Sequence, residues 1–313
     1  MAMSAGAPPR VLVTATIDPA GMAVLEAAGL DVAVWTDPRP MPRAALLEQL
    51  DGRVGLLSML TDAIDGAVLD AGPLRVVAQH AVGINNIDLD AARRRGVVVT
   101  NTPGSLTDAT ADLTLALLLA ATRHVVAGDR LVRAGGFHGW KPQMMCGLAL
   151  RGATLGVVGW GRIGRAVAQR AEAFGMTVLH HSRRSGVPLA ELLERSDVVS
   201  LHCPLTPDTR HLIGAAELRA LGPRGVLINT ARGPVVDEAA LARALSEGWI
   251  AAAGLDVFED EPTVHPGLLG LDNVVLCPHL GSATVGARRQ MAVQAATNLV
   301  AALRGEEPPD RVP

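Results

Sequence analysis

Three segments of the chain carry side chains suited to moving a proton beside a fixed positive charge: Asn229-Thr230-Ala231-Arg232-Gly233, Asp256 with Glu261-Pro262, and Cys277-Pro278-His279-Leu280-Gly281. Imidazole titrates near neutrality, so His279 can give or take a proton. A guanidinium stays charged and offers a planar fork of donors, so Arg232 can hold a carboxylate and polarise a carbonyl. A carboxylate beside an imidazole favours its protonated form and fixes which ring nitrogen faces the reactant, a task open to Glu261. Hydride transfer to a carbonyl leaves an alkoxide that needs a proton donor and a fixed cation, and this trio meets both needs. Taken singly, each residue also has an ordinary reading: Arg232 as a loop arginine, Glu261 as a solvated acid, His279 as a hydrogen-bonded structural histidine.

The hydride carrier is suggested by Val157-Val158-Gly159-Trp160-Gly161-Arg162-Ile163-Gly164, which follows the strand-like Thr154-Leu155 and precedes an amphipathic stretch, Arg165 to Phe174. Strand, glycine turn and helix start together hold a dinucleotide pyrophosphate: Gly159 makes the tight turn, Gly161 admits the phosphates, and Gly164 lets helix and strand pack closely. The helix N-terminus adds unpaired N–H groups and partial positive charge. About 20 residues beyond the glycines a NAD site usually places an acid on the ribose hydroxyls. Here the second strand ends instead in Ser182-Arg183-Arg184, a hydroxyl and two guanidiniums where the 2′-phosphate of NADP would lie. NADPH is therefore expected over NADH; the ordinary alternative is that the two arginines solvate a loop.

These loops need sheets to position them. The β-rich runs Val11-Thr14, Val32-Trp35, Val54-Leu57, Val76-Gln79 and Val97-Thr100 each precede an amphipathic stretch, which predicts a parallel sheet covered by helices on both faces. A second series runs through Thr154-Val158, Thr177-His180, Val198-Leu201, Val226-Asn229, Ala252-Leu255 and Val274-Leu276, opened by the glycine motif. The fold class is thus α/β, with two doubly wound parallel-sheet domains. A Rossmann cofactor domain, 103–285, is inserted in a flavodoxin-like substrate domain built from both chain ends, 1–102 and 286–313. A long helical pattern from Leu106 to about Arg133 links them, and Val285 to Leu303 forms a returning helix. Asp18-Pro19 starts a helix that Gly29 ends, and Arg93-Arg94-Arg95 reads as a solvated helix C-terminus.

With 313 residues, each domain can bury its own core, and with Tyr 0 and Phe 3 those cores must be made of Ala, Leu and Val. Bases (28) nearly balance acids (31), which argues against nucleic acid as a ligand. Cys146, Cys203 and Cys277 are odd in number and lack a CxxC pair, so reduced, partly buried thiols are expected rather than disulfides or a metal. His180 and His181 are strand-end residues with no third ligand near them in sequence. The longest apolar run, Leu113 to Ala121, falls short of the ~20 residues a membrane span requires. Met1 to Pro9 lacks a signal-peptide core, so a cytoplasmic protein is expected.

The chain resembles the D-isomer-specific 2-hydroxyacid dehydrogenases over nearly its full length. The resemblance rests on Gly159 to Gly164, His202-Cys203-Pro204-Leu205-Thr206, Asn229 to Gly233 with Val236-Asp237-Glu238, Ala253 to Phe258 with Glu261-Pro262, and Pro278 to Thr284. It implies His279 as the acid/base, Glu261 as its orienting carboxylate, Arg232 as the grip on the substrate, and Asp256 as a partner of the nicotinamide carboxamide. It further implies a cofactor lying along Thr107, Arg162, Ile163, Cys203, Pro204, Thr209, Thr230, Ala231, His279 and Gly281.

Within that family, Leu56 to Asp62, Ala81 to Asp88, Thr100 to Leu113 and Trp140-Lys141-Pro142 are similar to the glyoxylate/hydroxypyruvate reductases. That likeness implies a small 2-oxo acid whose carboxylate meets the backbone N–H groups near Val82-Gly83 beside Leu60. It also implies a homodimer in which Trp140 reaches the partner's site. The chain departs from the family's common pattern in lacking the acid after the second cofactor-domain strand and the tyrosines common in relatives, and no regulatory domain is expected beyond Pro313, which makes the phosphoglycerate dehydrogenases that carry one a poorer match. A reductase of 2-ketogluconate or similar 2-ketoaldonates shares the catalytic trio, and a non-catalytic NAD(P)-sensing protein is the reading from another class.

Overall fold

The structure, a computed structural model, describes residues 7–313. The reading of Met1 to Pro9 therefore lies outside the described residues as far as Gly6. The described residues form two compact units, 7–106 with 283–313 and 107–282.

Unit 1 is a five-stranded parallel sheet of β1 (Arg10–Val13), β2 (Asp31–Val34), β3 (Gly55–Ser58), β4 (Val76–Gln79) and β5 (Val98–Thr100). Its order is β2-β1-β3-β4-β5, the flavodoxin-like arrangement. The central strands are apolar on both faces, with Leu56, Leu57, Val76 and Val77 fully buried, as a sheet covered by helices on both sides requires. One cover is the final helix, Val285–Arg304, whose Ala292, Ala295, Ala296 and Leu299 have no exposed surface. Alanines take the place of aromatics here: a Cβ on Gly21 would lie 2.8 Å from Ala292, so this helix and Pro19–Ala27 pack backbone to backbone. Asp18 caps Pro19–Ala27 by accepting from the Ala20 N–H. The basic run ends its helix as expected, Arg93 pairing with Asp90 and Arg95 with Asp70 at the surface.

Unit 2 holds β6 (Thr154–Val158), β7 (Thr177–Ser182), β8 (Ser185–Gly186), β9 (Val198–Leu201), β10 (Val226–Asn229), β11 (Ala252–Leu255) and β12 (Val274–Leu276). The order is β12-β11-β10-β9-β6-β7-β8, so it reverses direction between β6 and β9, where such sheets bind ligands. Every pairing is parallel except β7 with β8, a two-residue antiparallel edge that the sequence pattern does not signal.

The expected helix from Leu106 to Arg133 is two helices, Thr107–Thr122 and Val125–Arg133, bent by 62°. The cause is local. The Thr122 carbonyl accepts from the Leu148 N–H at 3.0 Å, an approach open only because residue 147 is glycine, and His124 turns left-handed with φ 54°. Half of the residues of Thr107–Thr122 are buried, whereas none of Val125–Arg133 is. Among the described residues no single helix is long and apolar enough to cross a membrane. Cys146 is exposed, in contrast to the partly buried Cys203 and Cys277.

Candidate active site

Parallel pairing brings the carboxyl ends of β6, β7, β9, β10, β11 and β12 to one edge of unit 2. The loop after β10 is shaped by Asn229, whose Oδ1 accepts from the Ala231 N–H and whose Nδ2 donates to the Arg232 carbonyl, both at 3.0 Å. Thr230 is anchored to Thr114, hydroxyl to hydroxyl at 2.9 Å. A Cβ on Gly233 would fall 1.8 Å from the Phe258 carbonyl, so only glycine lets the Arg232 loop close against the segment leading to Glu261. Burial lowers the pKa of Arg232 while the nearby Glu261 charge opposes that drop; a guanidinium remains a cation in either case.

Glu261 accepts from the Phe258 N–H through Oε1 at 3.0 Å and meets His279 Nδ1 through Oε2 at 2.9 Å. Burial works against its ionisation, but the hydrogen bond and charge of His279, the Phe258 N–H and the charge of Arg232 outweigh burial and leave its pKa lowered. His279 itself is left-handed with φ 56°, a conformation that strains a residue with a Cβ. Asp256 supports that turn. Its carbonyl accepts from the His279 N–H at 2.9 Å, and its carboxylate accepts from the N–H groups of Leu280 (2.6 Å) and Gly281 (2.8 Å). Asp256 is buried, which raises its pKa despite those two bonds. The His279 and Glu261 side chains stay 33% and 36% exposed, open enough to meet a small reactant.

The glycine turn fits a pyrophosphate. Gly159 has φ 102° and no room for a side chain, since a Cβ would sit 2.5 Å from the Cys203 nitrogen. A Cβ on Gly164 would lie 2.2 Å from the Gly159 carbonyl oxygen, whereas one on Gly161 would meet nothing within 4 Å. That opening precedes the helix Arg162–Ala173, whose N-terminus no side chain caps, so its first N–H groups remain for an anion. Beside it, Thr209 Oγ1 donates to the Pro204 carbonyl at 2.7 Å and ties the Cys203-Pro204 loop into one piece. Burial pushes the Cys203 thiol up to about 11, so it stays protonated.

At the end of β7 the Ser182 hydroxyl closes its own turn, donating to the Ser185 carbonyl and accepting from the Ser185 N–H. Arg183 and Arg184 are exposed, and neither side chain is paired among the described residues. His180 stacks on Trp160 with ring centroids 4.1 Å apart, and His181 Nδ1 meets the Val187 carbonyl.

In unit 1, Leu60, Val82 and Gly83 are half-buried in loops at the carboxyl ends of β3 and β4. The Val82 carbonyl accepts from Asn101 and the Gly83 carbonyl from Gln79, yet among the described residues neither N–H has an acceptor. Trp140 is 78% exposed, in an apolar stretch with Phe137, Met144 and Met145. Thr107 begins the first helix of unit 2. The sequence reading missed the supporting roles of Asn229, Gly233 and Thr114. An asparagine two residues before an N–H it can cap is a local signal for the first, whereas the other two depend on distant packing.

A twelve-stranded pair of α/β sheets whose second half joins a dinucleotide turn to an arginine, a glutamate and a histidine defines a nicotinamide-dependent oxidoreductase. Residues 115–281 match the family described as D-isomer specific 2-hydroxyacid dehydrogenase, NAD binding domain, and the chain belongs to that family. It is 48% identical to the glyoxylate reductase of Thermococcus litoralis, over 97% of this chain and 96% of that one. A solved structure of a Thermus thermophilus protein is 47% identical with TM-score 0.93, covering 97% of this chain and 100% of that one. The NADPH-dependent glyoxylate/hydroxypyruvate reductase of Sinorhizobium meliloti, solved with NADP and malonate, is 37% identical with TM-score 0.87, covering 97% and 96% of the two chains.

Proposed function

We propose that this protein is an NADPH-preferring reductase that converts glyoxylate to glycolate and hydroxypyruvate to D-glycerate. The observation that carries the reading is the 2.9 Å contact between Glu261 and His279, with Arg232 near enough for its charge to act on Glu261. NADPH, when bound, supplies the hydride. In unit 2, Arg232 is the grip for the carboxylate and carbonyl oxygen of a 2-oxo acid; in unit 1, the free N–H groups of Val82 and Gly83, in loops with Leu60, are donors suited to a carboxylate. His279, fixed through Nδ1, gives the proton from its other ring nitrogen to the carbonyl oxygen as charge builds there. Glu261 stabilises the protonated ring before that transfer.

The N–H groups at the start of Arg162–Ala173, including Arg162 and Ile163, would hold the pyrophosphate, and unpaired Arg183 and Arg184 the 2′-phosphate. The carboxylate of Asp256 keeps lone pairs for the nicotinamide carboxamide beyond its two backbone bonds. Two copies pair through the exposed apolar stretch around Phe137 and Trp140, giving a homodimer. A cytoplasmic location fits the unpaired cysteines.

The test follows oxidation of NADPH and NADH with glyoxylate, hydroxypyruvate, pyruvate and 2-ketogluconate. Fastest turnover with NADPH and the two short acids is expected. Preference for 2-ketogluconate would move the protein to the 2-ketoaldonate reductases, preference for NADH would remove the role of Arg183 and Arg184, and no turnover at all would favour an NAD(P)-sensing protein.

A further inference from the structure

Five polar residues crowd the carboxyl ends of β1, β3 and β4 in unit 1 and take no part in the chemistry above. Thr14, Ser58, Asp62 and Gln79 are at most 3% exposed, and Asn86 is half-buried. Burying such groups costs free energy unless each is bonded, and each is. Asn86 Nδ2 donates to the carbonyls of Met59 (3.2 Å) and Asp62 (2.8 Å), while its Oδ1 accepts from Gln79 Nε2 at 2.9 Å. Gln79 Oε1 accepts from the Ser58 hydroxyl at 2.7 Å, and Gln79 Nε2 also reaches the Gly83 carbonyl at 3.4 Å. Asp62 Oδ2 accepts from the Thr14 hydroxyl (2.5 Å) and the Met59 N–H (2.7 Å).

Segment 59–62 is therefore gripped at both ends, with Leu60 and Thr61 between the grips. Segment 79–86 is gripped at Gly83 and Asn86, with the free N–H groups of Val82 and Gly83 inside it. Among the described residues Asn86 is the one side chain that bonds both segments directly, and its amide donors are both committed, so neither segment can slide without breaking a half-buried bond.

We infer that Asn86, backed by Gln79 and Asp62, is a positioning residue that fixes the spacing between Leu60 and the Val82–Gly83 N–H groups, and through that spacing selects which 2-oxo acids bind. The inference deepens the proposed function and rests on its reading of Leu60, Val82 and Gly83 as substrate contacts. A shift of about 1 Å in such a contact is enough to change rates a hundredfold.

Asn86→Asp tests it with little change in size, because it turns the two donors into an acceptor facing two carbonyls. Thr14→Val tests it more gently, by loosening Asp62 at the far end of the network, and decides the matter should the first variant not fold. The measurements are KM and kcat for glyoxylate, pyruvate and 2-ketogluconate, NADPH affinity by fluorescence, and a thermal melt. Asn86→Asp is expected to raise KM for glyoxylate about tenfold or more, with kcat less affected, NADPH affinity unchanged and the ranking of acids by kcat/KM altered. Thr14→Val should move the same quantities in the same direction by less. Folded variants with an unaltered KM and ranking, or an equal loss for every acid, would overturn the inference alone. Wild-type protein inert toward every acid would overturn the functional reading and this inference with it.

Discussion

The two sheets present very different chemistry at the same structural place, the carboxyl ends of their strands. Unit 2 offers ions: Arg232, Glu261 and His279, the last two a third exposed and held from behind by backbone groups, Asn229 and Asp256. Unit 1 carries there a buried network of amides and hydroxyls around a single carboxylate, Asp62, which is capped by the Thr14 hydroxyl and the Met59 N–H and whose pKa burial raises. A side chain that must exchange a proton with a reactant has to reach it, whereas one that only fixes a loop is stronger when dry and fully bonded. Similar topologies thus separate moving charge from holding shape.

The sharpest way to break this contrast is His279→Gln, which keeps a polar side chain but removes the titrating ring. Turnover with glyoxylate is expected to fall about a hundred- to ten-thousand-fold while NADPH binding, followed by fluorescence, stays near wild type. Loss of cofactor binding instead would make His279 structural. Glu261→Gln should have a smaller effect, lowering turnover with glyoxylate about tenfold or more while NADPH binding is kept, because it weakens the 2.9 Å contact that orients the His279 ring. Unaltered turnover would dissolve the pairing.

The smallest effect concerns His80, which follows β4 in unit 1 and whose buried Nε2 has no partner among the described residues. Burial, then the charge of Arg288, lowers its pKa from 6.5 to about 4. The unfolded chain binds this proton near pH 6.5 and the folded chain only near 4, so its contribution is complete above the first value and declines as pH falls toward the second. The slope is about 1.4 kcal/mol per pH unit. Thermal melts between pH 7.5 and 5 should show it, and His80→Gln should flatten the curve; equal slopes in both proteins would place the acid sensitivity elsewhere, with His202, lowered to about 3 by burial, the next group to change.

Much of this was legible in the residues because local pattern and local structure agree. Eleven of the strands coincide with β-rich runs, and Gly159 and Gly164 have no room for a side chain, as a tight turn and close helix–strand packing require. What escaped depends on contacts distant in sequence. The helix break at Arg123-His124 is set by Leu148, and β8 is a two-residue edge too short for any periodicity. Asn86 looked like one polar residue among several in a loop, since nothing in the order of residues says that Met59, Asp62 and Gln79 converge on it.

The helix Val285–Arg304 closes one face of the sheet made by the first hundred residues. During synthesis on a ribosome, unit 2 is continuous and can mature as it emerges, but the earlier-made sheet waits with Val11, Leu57 and Val76 uncovered until the last stretch of polypeptide leaves the exit tunnel. Truncation near the C-terminus would therefore damage the oldest part of the nascent chain first.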